Sequence, residues 1–212
     1  EHGENGGATL LLCEHPPTLS VGRAGSRAHI AVDDVELSSM GIRTHWVNRG
    51  GGCILHLPGQ LVGYFITSLD SAAVPAMQHV EGLQKSLLGV LNEFELRGEV
   101  RNDPPGLYLG PARVASIGVA ISRGIAYHGF TLNVGPFLDL FDVLVEPGHG
   151  GMLLRQTSME SRRQRPTPMP KVREAMVRNI ESVFELDRHH VYTHHPRLRR
   201  KVLTHAYAPS PG

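Results

Sequence analysis

The sequence predicts an α+β domain with a mostly antiparallel sheet and packed helices. Two long segments carry apolar residues at helical spacing, and short apolar runs separated by Gly and Pro lie before and between them. Because several strands follow one another before a helix intervenes, the pattern favours an antiparallel sheet over alternating βαβ units.

The first part of the chain predicts five strands and one short helix. The helix begins at Asp33 or Asp34, either of which can cap it, and ends at Met40 just before Gly41. The strands are apolar runs bounded by turn residues. They cover 8–13, 18–21, 42–48, 53–57 and 61–69.

The longest helix is predicted for 75–96, where Pro75 suits the first turn and Gly98 marks the end. Its apolar residues fall on one face. They are Met77, Val80, Leu83, Leu87, Val90, Leu91 and Phe94.

The second part of the chain changes to strand periodicity and then ends in a helix. The predicted strands, 107–109, 113–121 and 125–134, are joined by short turns typical of an antiparallel meander. Three prolines precede a helix predicted for 170–186. We expect one domain over 8–190, followed by a basic, Pro-containing tail over 191–212.

The composition excludes several classes of protein. The 212 residues are 41% hydrophobic with a formal net charge of +1, and a chain of this length can bury a sizeable core. Cys13 and Cys53 are too few for a disulfide framework, and no apolar run approaches the roughly 20 residues of a membrane span. Because a disulfide framework is excluded, we expect the protein to reside in a reducing compartment. Because residue 1 is Glu1, we interpret the chain as processed, trimmed or fused.

The near-neutral total charge hides two ends of opposite sign. Residues 161–201 contain eleven Lys or Arg and four acids, a charge of +7, which leaves −6 for the rest. This segment can be a solvated helix face and loose tail, or a docking surface for an acidic partner. No aromatic residues interleave with its basic residues, so we do not expect nucleic acid as a partner.

Four ordered segments carry a resemblance to a known family. They are Leu11-Leu12-Cys13-Glu14-His15-Pro16-Pro17 with Val21-Gly22-Arg23, then 49–61, then 114–119 with 128–133, and finally 141–159. The most specific is Arg49-Gly50-Gly51 leading to His56 and Pro58-Gly59-Gln60-Leu61. Together these segments resemble the octanoyltransferase (lipoyl/octanoyl transferase) family, apart from Leu57, where that family has Gly.

The resemblance implies a biotin/lipoyl protein ligase-like fold and a role in lipoate metabolism. Members of the family move an octanoyl group from acyl carrier protein to a lysine of a lipoyl domain, through a cysteine thioester with a lysine beside it. The expected partners are therefore acyl carrier protein and a lipoyl domain, without a cofactor. The expected location is cytoplasmic, or mitochondrial in a eukaryote, and the oligomeric state stays open.

The resemblance also implies where the acyl chain binds. Glycines allow the backbone to approach a ligand closely, Arg49 can donate to a carbonyl or phosphate oxygen, and His56 can orient a thioester carbonyl or relay a proton. The implied binding residues are Arg49, Gly50, Gly51, Gly52, Cys53, Ile54, Leu55, His56, Ser116, Ile117, Gly118, Gly129, Phe130 and Thr131.

Both members of the family's catalytic pair are replaced. The lysine position is occupied by Arg113, which keeps the charge but cannot act as a base near neutral pH. The cysteine position is occupied by Gly148, which offers no nucleophile. Two hypotheses follow. The one we favour is a catalytically impaired module that binds an acyl group, a lipoyl domain or another protein. The alternative is an active acyltransferase whose chemistry has moved to Cys53 or His149.

Three other features of the sequence concern acyl, metal and nucleotide binding. Leu57 can partly fill the acyl tunnel, which would weaken ligand binding. The spacing of the later histidines (His189, His190, His194 and His195) matches no zinc signature, so no metal site is expected from the sequence. No nucleotide-binding loop supports an adenylating ligase.

Overall fold

The computed structural model describes residues 8–69, 75–102, 104–148 and 153–186. Within them the chain forms two sheets and four α-helices, which confirms the α+β class. The strands are β1 (Thr9–Cys13), β2 (Thr18–Val21), β3 (Arg43–Trp46), β4 (Cys53–His56), β5 (Gln60–Ser68), β6 (Glu99–Asn102), β7 (Pro105–Leu109), β8 (Ala112–Ser122) and β9 (Ile125–Asn133). The helices are α1 (Asp34–Ser39), α2 (Ala76–Glu93), α3 (Met159–Arg163) and α4 (Met169–Val183).

The larger sheet has six strands in the order β1-β5-β9-β8-β7-β6, and every neighbouring pair is antiparallel. Helices α2 and α4 pack against each other, and α2 covers one face of this sheet. Leu83, Leu87 and Leu91 of α2 are fully buried there with Phe65 and Leu107. The opposite face of this sheet is turned toward the smaller sheet.

The smaller sheet has the order β3-β2-β4, with β2 parallel to β3 and antiparallel to β4. Its outer face forms a second core. That core contains Leu19, Val21, Ile30, Leu37, Ile42, Cys53, Leu55, Leu57, Phe141 and Val143. The inner face is turned toward the larger sheet, so the molecule has a seam between two sheets.

Helix α2 ends earlier than its sequence pattern predicts. The last helical residue is Glu93, and Glu95 adopts a left-handed conformation with φ of 63° while Leu96 N–H donates to Leu91 C=O. Gly98 is therefore not the terminating residue. A Cβ at Gly98 would lie 2.7 Å from Leu91 Cδ1, so this glycine permits close packing against the helix instead.

Several elements carry little sequence signal. Strand β6 contains one apolar residue, Val100, and forms because it pairs with β7 as a hairpin. Two 3₁₀ helices, Arg27–His29 and Leu138–Val143, and helix α3 are also unpredicted. Among the described residues, no helix has the length and apolar character needed to cross a bilayer. The predicted domain end and the tail over 191–212 lie outside the described residues.

The described arginines of the basic segment are engaged with the body of the protein. Arg165 pairs with Glu95 at 2.5 Å, Arg173 with Glu14 at 2.8 Å and Arg178 with Glu93 at 2.7 Å. Arg162 donates to Thr157 Oγ1 and to Leu109 C=O, and Arg163 donates to Thr167 Oγ1. These contacts join the positive end to the negative body, so much of the charge asymmetry is compensated within the fold. Arg188 and the basic residues after it lie outside the described residues.

Candidate functional site

A cleft of about 80 Å³ lies in the seam between the two sheets. The smaller sheet and the turn beside it contribute Ser20, Val47, Arg49, Ile54 and His56. The larger sheet contributes Val62, Gly63 and Tyr64 from β5, Ser116 and Gly118 from β8, and 128–131 from β9. The cleft thus combines apolar walls with a few polar groups, which is the usual composition of a small-molecule site.

Strand alternation explains which predicted residues reach the cleft. Successive side chains of a strand point to opposite faces, so Ile54 and His56 of β4 line the cleft whereas Cys53 and Leu55 belong to the second core. On the larger sheet, Ser116 pairs with Thr131 in register.

Eight of the predicted binding residues therefore come together in the cleft. They are Arg49, Ile54, His56, Ser116, Gly118, Gly129, Phe130 and Thr131. Six others do not line it. They are Gly50, Gly51, Gly52, Cys53, Leu55 and Ile117. Leu57 is 1% exposed within the second core, so it does not fill the cleft in the way that its size suggested.

The glycine turn is seated on the larger sheet by a close backbone approach. Gly50 N–H donates to Val119 C=O at 2.9 Å. A Cβ at Gly118 would lie 2.8 Å from Gly50 O, a distance that real Cβ atoms essentially never show. Gly118 is therefore required so that the glycine turn can pack against strand β8. This packing places Arg49 at the cleft.

Arg49 is a buried cation at the base of the cleft. Its Nη2 donates to the Ser20 carbonyl at 2.7 Å and to Ser20 Oγ at 2.8 Å, and Nη1 donates to Gly50 C=O at 3.0 Å. Burial lowers the pKa of Arg49 to about 10, so the guanidinium stays charged at neutral pH. A fixed positive charge at the base of the cleft can polarise a ligand carbonyl.

His56 is a neutral imidazole held at both nitrogens. Burial, together with the positive charges nearby, lowers its pKa to about 3. Gln60 Oε1 lies 3.1 Å from Nδ1 and Ser20 Oγ lies 2.9 Å from Nε2. Because Gln60 Nε2 donates to Leu55 C=O and to Asn133 Oδ1, Gln60 Oε1 is left as an acceptor. Nδ1 therefore carries the proton, and Nε2 accepts from Ser20.

Several cleft residues were not predicted from the sequence, above all Ser20, Tyr64 and His128. His128 has φ of 63° within strand β9, an uncommon conformation for a residue with a side chain. Its place in the His128-Gly129 motif was the available signal, but a positive φ cannot be inferred from the sequence. Burial lowers the pKa of His128, and the charges of Arg49 and Arg23 add to this effect.

A cysteine and a histidine lie together at the edge of the cleft. Cys13 Sγ is 3.7 Å from His15 Nε2, and Tyr64 Oη is 2.8 Å from the same nitrogen. Cys13 pairs in register with Val62, so it shares the sheet face that lines the cleft. Burial raises the pKa of the Cys13 thiol, although Arg173 opposes this shift.

Arg113, which the family resemblance aligns with a lysine, forms a buried ion pair with Glu146. Arg113 is 4% exposed, and its Nη2 lies 3.7 Å from Oε2 of Glu146, which is also buried. When the side-chain amide of Gln156 is oriented with its oxygen toward Arg113, that oxygen accepts a hydrogen bond from Arg113 Nη2 at 3.0 Å. Burial lowers the pKa of Arg113. Gly148 follows Glu146 by two residues, whereas His149 lies outside the described residues.

Cys53 is poorly placed to act on a ligand in the cleft. Its Sγ donates to Ser26 C=O at 3.7 Å on the side of the second core, and burial raises the pKa of its thiol. Among the residues that the structure describes, Cys53 also belongs to a group with His29 and Glu146 whose donor atoms could hold a metal ion.

Comparison with known proteins agrees with the motif pattern. Residues 1–181 match the family model described as "Lipoyl protein ligase A/B catalytic domain". An octanoyltransferase of Myxococcus xanthus is 36% identical over 190 residues, which cover 86% of this chain and 52% of that protein. An octanoyltransferase of Chloroflexus aggregans is 34% identical over 183 residues, covering 85% of this chain and 82% of that protein. The chain thus spans about half the length of the first relative and most of the second.

Solved structures show the same fold. A lipoate-protein ligase A bound with ATP superposes with a TM-score of 0.70 at 16% identity, covering 84% of this chain and 73% of the other. A bipartite lipoate protein ligase of Thermoplasma acidophilum, described together with its E2 lipoyl domain, gives a TM-score of 0.69 at 15% identity, covering 84% and 71%. At these identities the likeness is one of fold alone.

Proposed function

The chain belongs to the lipoyl protein ligase A/B catalytic domain family, and we propose that within it this octanoyltransferase-family protein of lipoate metabolism is catalytically impaired. In this proposal the protein binds an acyl chain, a lipoyl domain or another protein without carrying out the family's covalent transfer. The proposal rests on two features: residues of the family motifs line a cleft, whereas the family's catalytic cysteine and lysine are replaced.

One observation carries the proposal: Arg113 is committed to a buried ion pair with Glu146 beside Gly148. Covalent transfer needs a nucleophile, and glycine has none. A guanidinium whose charge is held against a carboxylate does not give up a proton near neutral pH, and Gly148 offers it no thiol to activate. The family reaction therefore lacks both of its chemical groups here.

The cleft supports an acyl group as the ligand class. Ile54, Val62 and Phe130 supply apolar walls, and Arg49 supplies a fixed donor at the base. Acyl carrier protein and a lipoyl domain are the proposed partners, and the cytoplasm, or the mitochondrion in a eukaryote, is the proposed location.

Two measurements on the same purified chain test this proposal. In the first, octanoyl transfer from acyl carrier protein to a lipoyl domain is assayed, and we expect no rate above that of buffer. In the second, binding of octanoyl-pantetheine is measured by calorimetry for wild type, Ile54→Asp and Cys53→Ala. We expect Ile54→Asp to weaken binding at least tenfold. Cys53→Ala, one residue along β4 but facing away, should bind as wild type does.

The two results separate the parts of the proposal. Transfer well above buffer by the wild-type chain would overturn the impairment. Absence of binding to octanoyl-pantetheine and to a lipoyl domain would overturn the binding role.

An active acyltransferase is a second candidate, favoured by the contact between Cys13 Sγ and His15 Nε2 beside the cleft. A thiol next to a neutral histidine is the usual arrangement for thioester exchange, and burial lowers the pKa of His15. The other relocated routes would use Cys53 or His149. Mass spectrometry after incubation with an octanoyl thioester tests the cysteine routes by the position of an acyl adduct, and the transfer assay with His149→Ala tests the third.

A further inference from the structure

Three side chains of different chemistry meet beside the second core. The Nδ1 atom of His29, the Sγ atom of Cys53 and a carboxylate oxygen of Glu146 all lie within 4.8 Å of one another. His29 Nδ1 and Glu146 Oε1 are 3.9 Å apart. No residue of the cleft takes part, so this group is separate from the proposed acyl site.

The Nδ1 atom of His29 has no hydrogen-bond partner in the part of the chain that the structure describes. His29 Nδ1 is inaccessible to solvent and forms no hydrogen bond among the described residues. Buried polar atoms in folded proteins are nearly always hydrogen-bonded, and those that are not call for an explanation such as an ion. An imidazole nitrogen that points toward a thiol and a carboxylate without bonding to either is such a case.

The three residues are held by backbone hydrogen bonds independently of any ligand. The 3₁₀ helix that carries His29 is joined to the segment before Glu146, because Val145 N–H donates to His29 C=O at 2.9 Å and Ala31 N–H donates to Val143 C=O at 2.8 Å. Cys53 is fixed at the start of β4. The arrangement is therefore built into the fold.

Glu146 can serve this group without losing its other partners. Its Oε1 accepts a short hydrogen bond from Cys53 N–H, and its Oε2 faces Arg113. A carboxylate offers about four lone-pair sites, so Oε1 can accept a hydrogen bond and bind an ion at once. Both contacts orient the carboxylate, as outer groups around metal ligands commonly do.

We propose that His29, Cys53 and Glu146 bind a divalent metal ion, with Zn²⁺ the ion that suits this donor set. Imidazole nitrogen, thiolate sulfur and carboxylate oxygen are the donors that Zn²⁺ takes in proteins, and a water completes a tetrahedral site. On binding, the Sγ–H bond of Cys53 breaks, its proton passes to solvent and the thiolate bonds to the metal. With the thiolate and the carboxylate, the ion and the neighbouring Arg113 guanidinium together carry a net charge of +1.

Metal binding requires the three donor atoms, which lie within 4.8 Å of one another, to draw together by up to about 1.2 Å. Bond lengths of about 2.0–2.3 Å in a tetrahedron place ligand atoms about 3.3–3.6 Å apart. The nitrogen and oxygen must therefore approach each other by about half an ångström from their separation of 3.9 Å. His29 is partly exposed, with 27% of its side chain accessible, so it can rotate to make this approach.

Cobalt substitution of the full chain tests this proposal, because thiolate bound to Co²⁺ gives a charge-transfer absorption that imidazole and carboxylate do not. The metal-free protein is titrated with Co²⁺, and then with Zn²⁺ in competition. We expect one equivalent of Co²⁺ to produce the band and Zn²⁺ to displace it. His29→Ala should weaken the affinity at least tenfold, and Cys53→Ser should abolish the band.

Cys13→Ser is the matched control, since it removes the other thiol and should leave the band intact. The later histidines, such as His189 and His190, could bind Zn²⁺ through imidazole alone, and the thiolate band distinguishes that case. Circular dichroism confirms that each variant folds. A wild-type chain without the band, or a band that persists in Cys53→Ser, would overturn the proposal.

Discussion

Arg113 and Glu146 face each other as a buried ion pair, with Nη2 and Oε2 3.7 Å apart. Arg113 lies on strand β8, and Glu146 lies two residues before Gly148. The pair is anchored by Gln156 and by Cys53 N–H. The Arg113 side chain is thus held by a carboxylate that lies two residues before Gly148.

Glu146→Gln should destabilise the protein by about 3 kcal/mol, because it keeps the size of the side chain but leaves a buried guanidinium without its counter-charge. Urea unfolding in the presence of a chelator measures this free energy without any contribution from metal. Glu99→Gln, which breaks the more exposed pair with Arg101, should cost less than about 1 kcal/mol. Equal effects of the two substitutions would contradict the structural role assigned to the buried pair.

A chain carrying both Gly148→Cys and Arg113→Lys should gain octanoyl transfer, since the two substitutions return the nucleophile and its neighbouring amine to a scaffold that keeps the cleft. We expect a rate at least tenfold above wild type in the transfer assay. The matched control combines Gly148→Ser with Arg113→Lys, which adds similar bulk without a thiol. If the thiol variant is no faster than this control, the scaffold has lost more than its catalytic pair.

Cys53 should remain unmodified when the chain is incubated with an octanoyl thioester. Its thiol faces the second core and burial raises its pKa, so thiolate is scarce at neutral pH. Peptide mapping by mass spectrometry locates any adduct. An octanoyl group on Cys13 that disappears in His15→Ala would favour the acyltransferase candidate, and an adduct on Cys53 would show that this thiol is more accessible than its packing indicates.

Stability should fall as the pH drops below about 6.5, in part because of His56. Its pKa in the folded state is about 3, below the ordinary value of about 6.5, so between these values the unfolded chain binds a proton that the folded chain does not. Unfolding free energy therefore rises with pH across this window, by at most about 1.4 kcal/mol per unit from this group.

Urea unfolding at several pH values between 4 and 7 measures this slope. His56→Gln should flatten the slope, while His45→Gln, at an exposed position of β3, should leave it unchanged. Other buried histidines such as His79, whose pKa is also lowered by burial, add to the same pH dependence. The contribution of His56 is therefore measured by comparing the slopes of the two variants. Parallel curves for wild type and His56→Gln would show that His56 is protonated in the folded state as readily as in the unfolded chain.

Much of the fold could be predicted because its elements have strong local patterns. Helix α2 and the strands with continuous apolar runs were found with errors of a few residues at their ends. Strand β6 could not be found, because Val100 is its single apolar residue and pairing with β7 defines it. The left-handed residues Glu95 and His128 were also missed, since local sequence does not specify a positive φ outside glycine.

The family pattern and the α+β class could be inferred from the sequence, which also predicts Gly148 and Arg113 at the family's cysteine and lysine positions, because each inference depends on residue identity and spacing along the chain. Only the tertiary structure decided which side of β4 meets the cleft. The seam between the two sheets admits Ile54 and His56 and turns Cys53 away. It also brings His29, Cys53 and Glu146 together from distant parts of the chain, since side-chain proximity across sheets depends on how the layers pack.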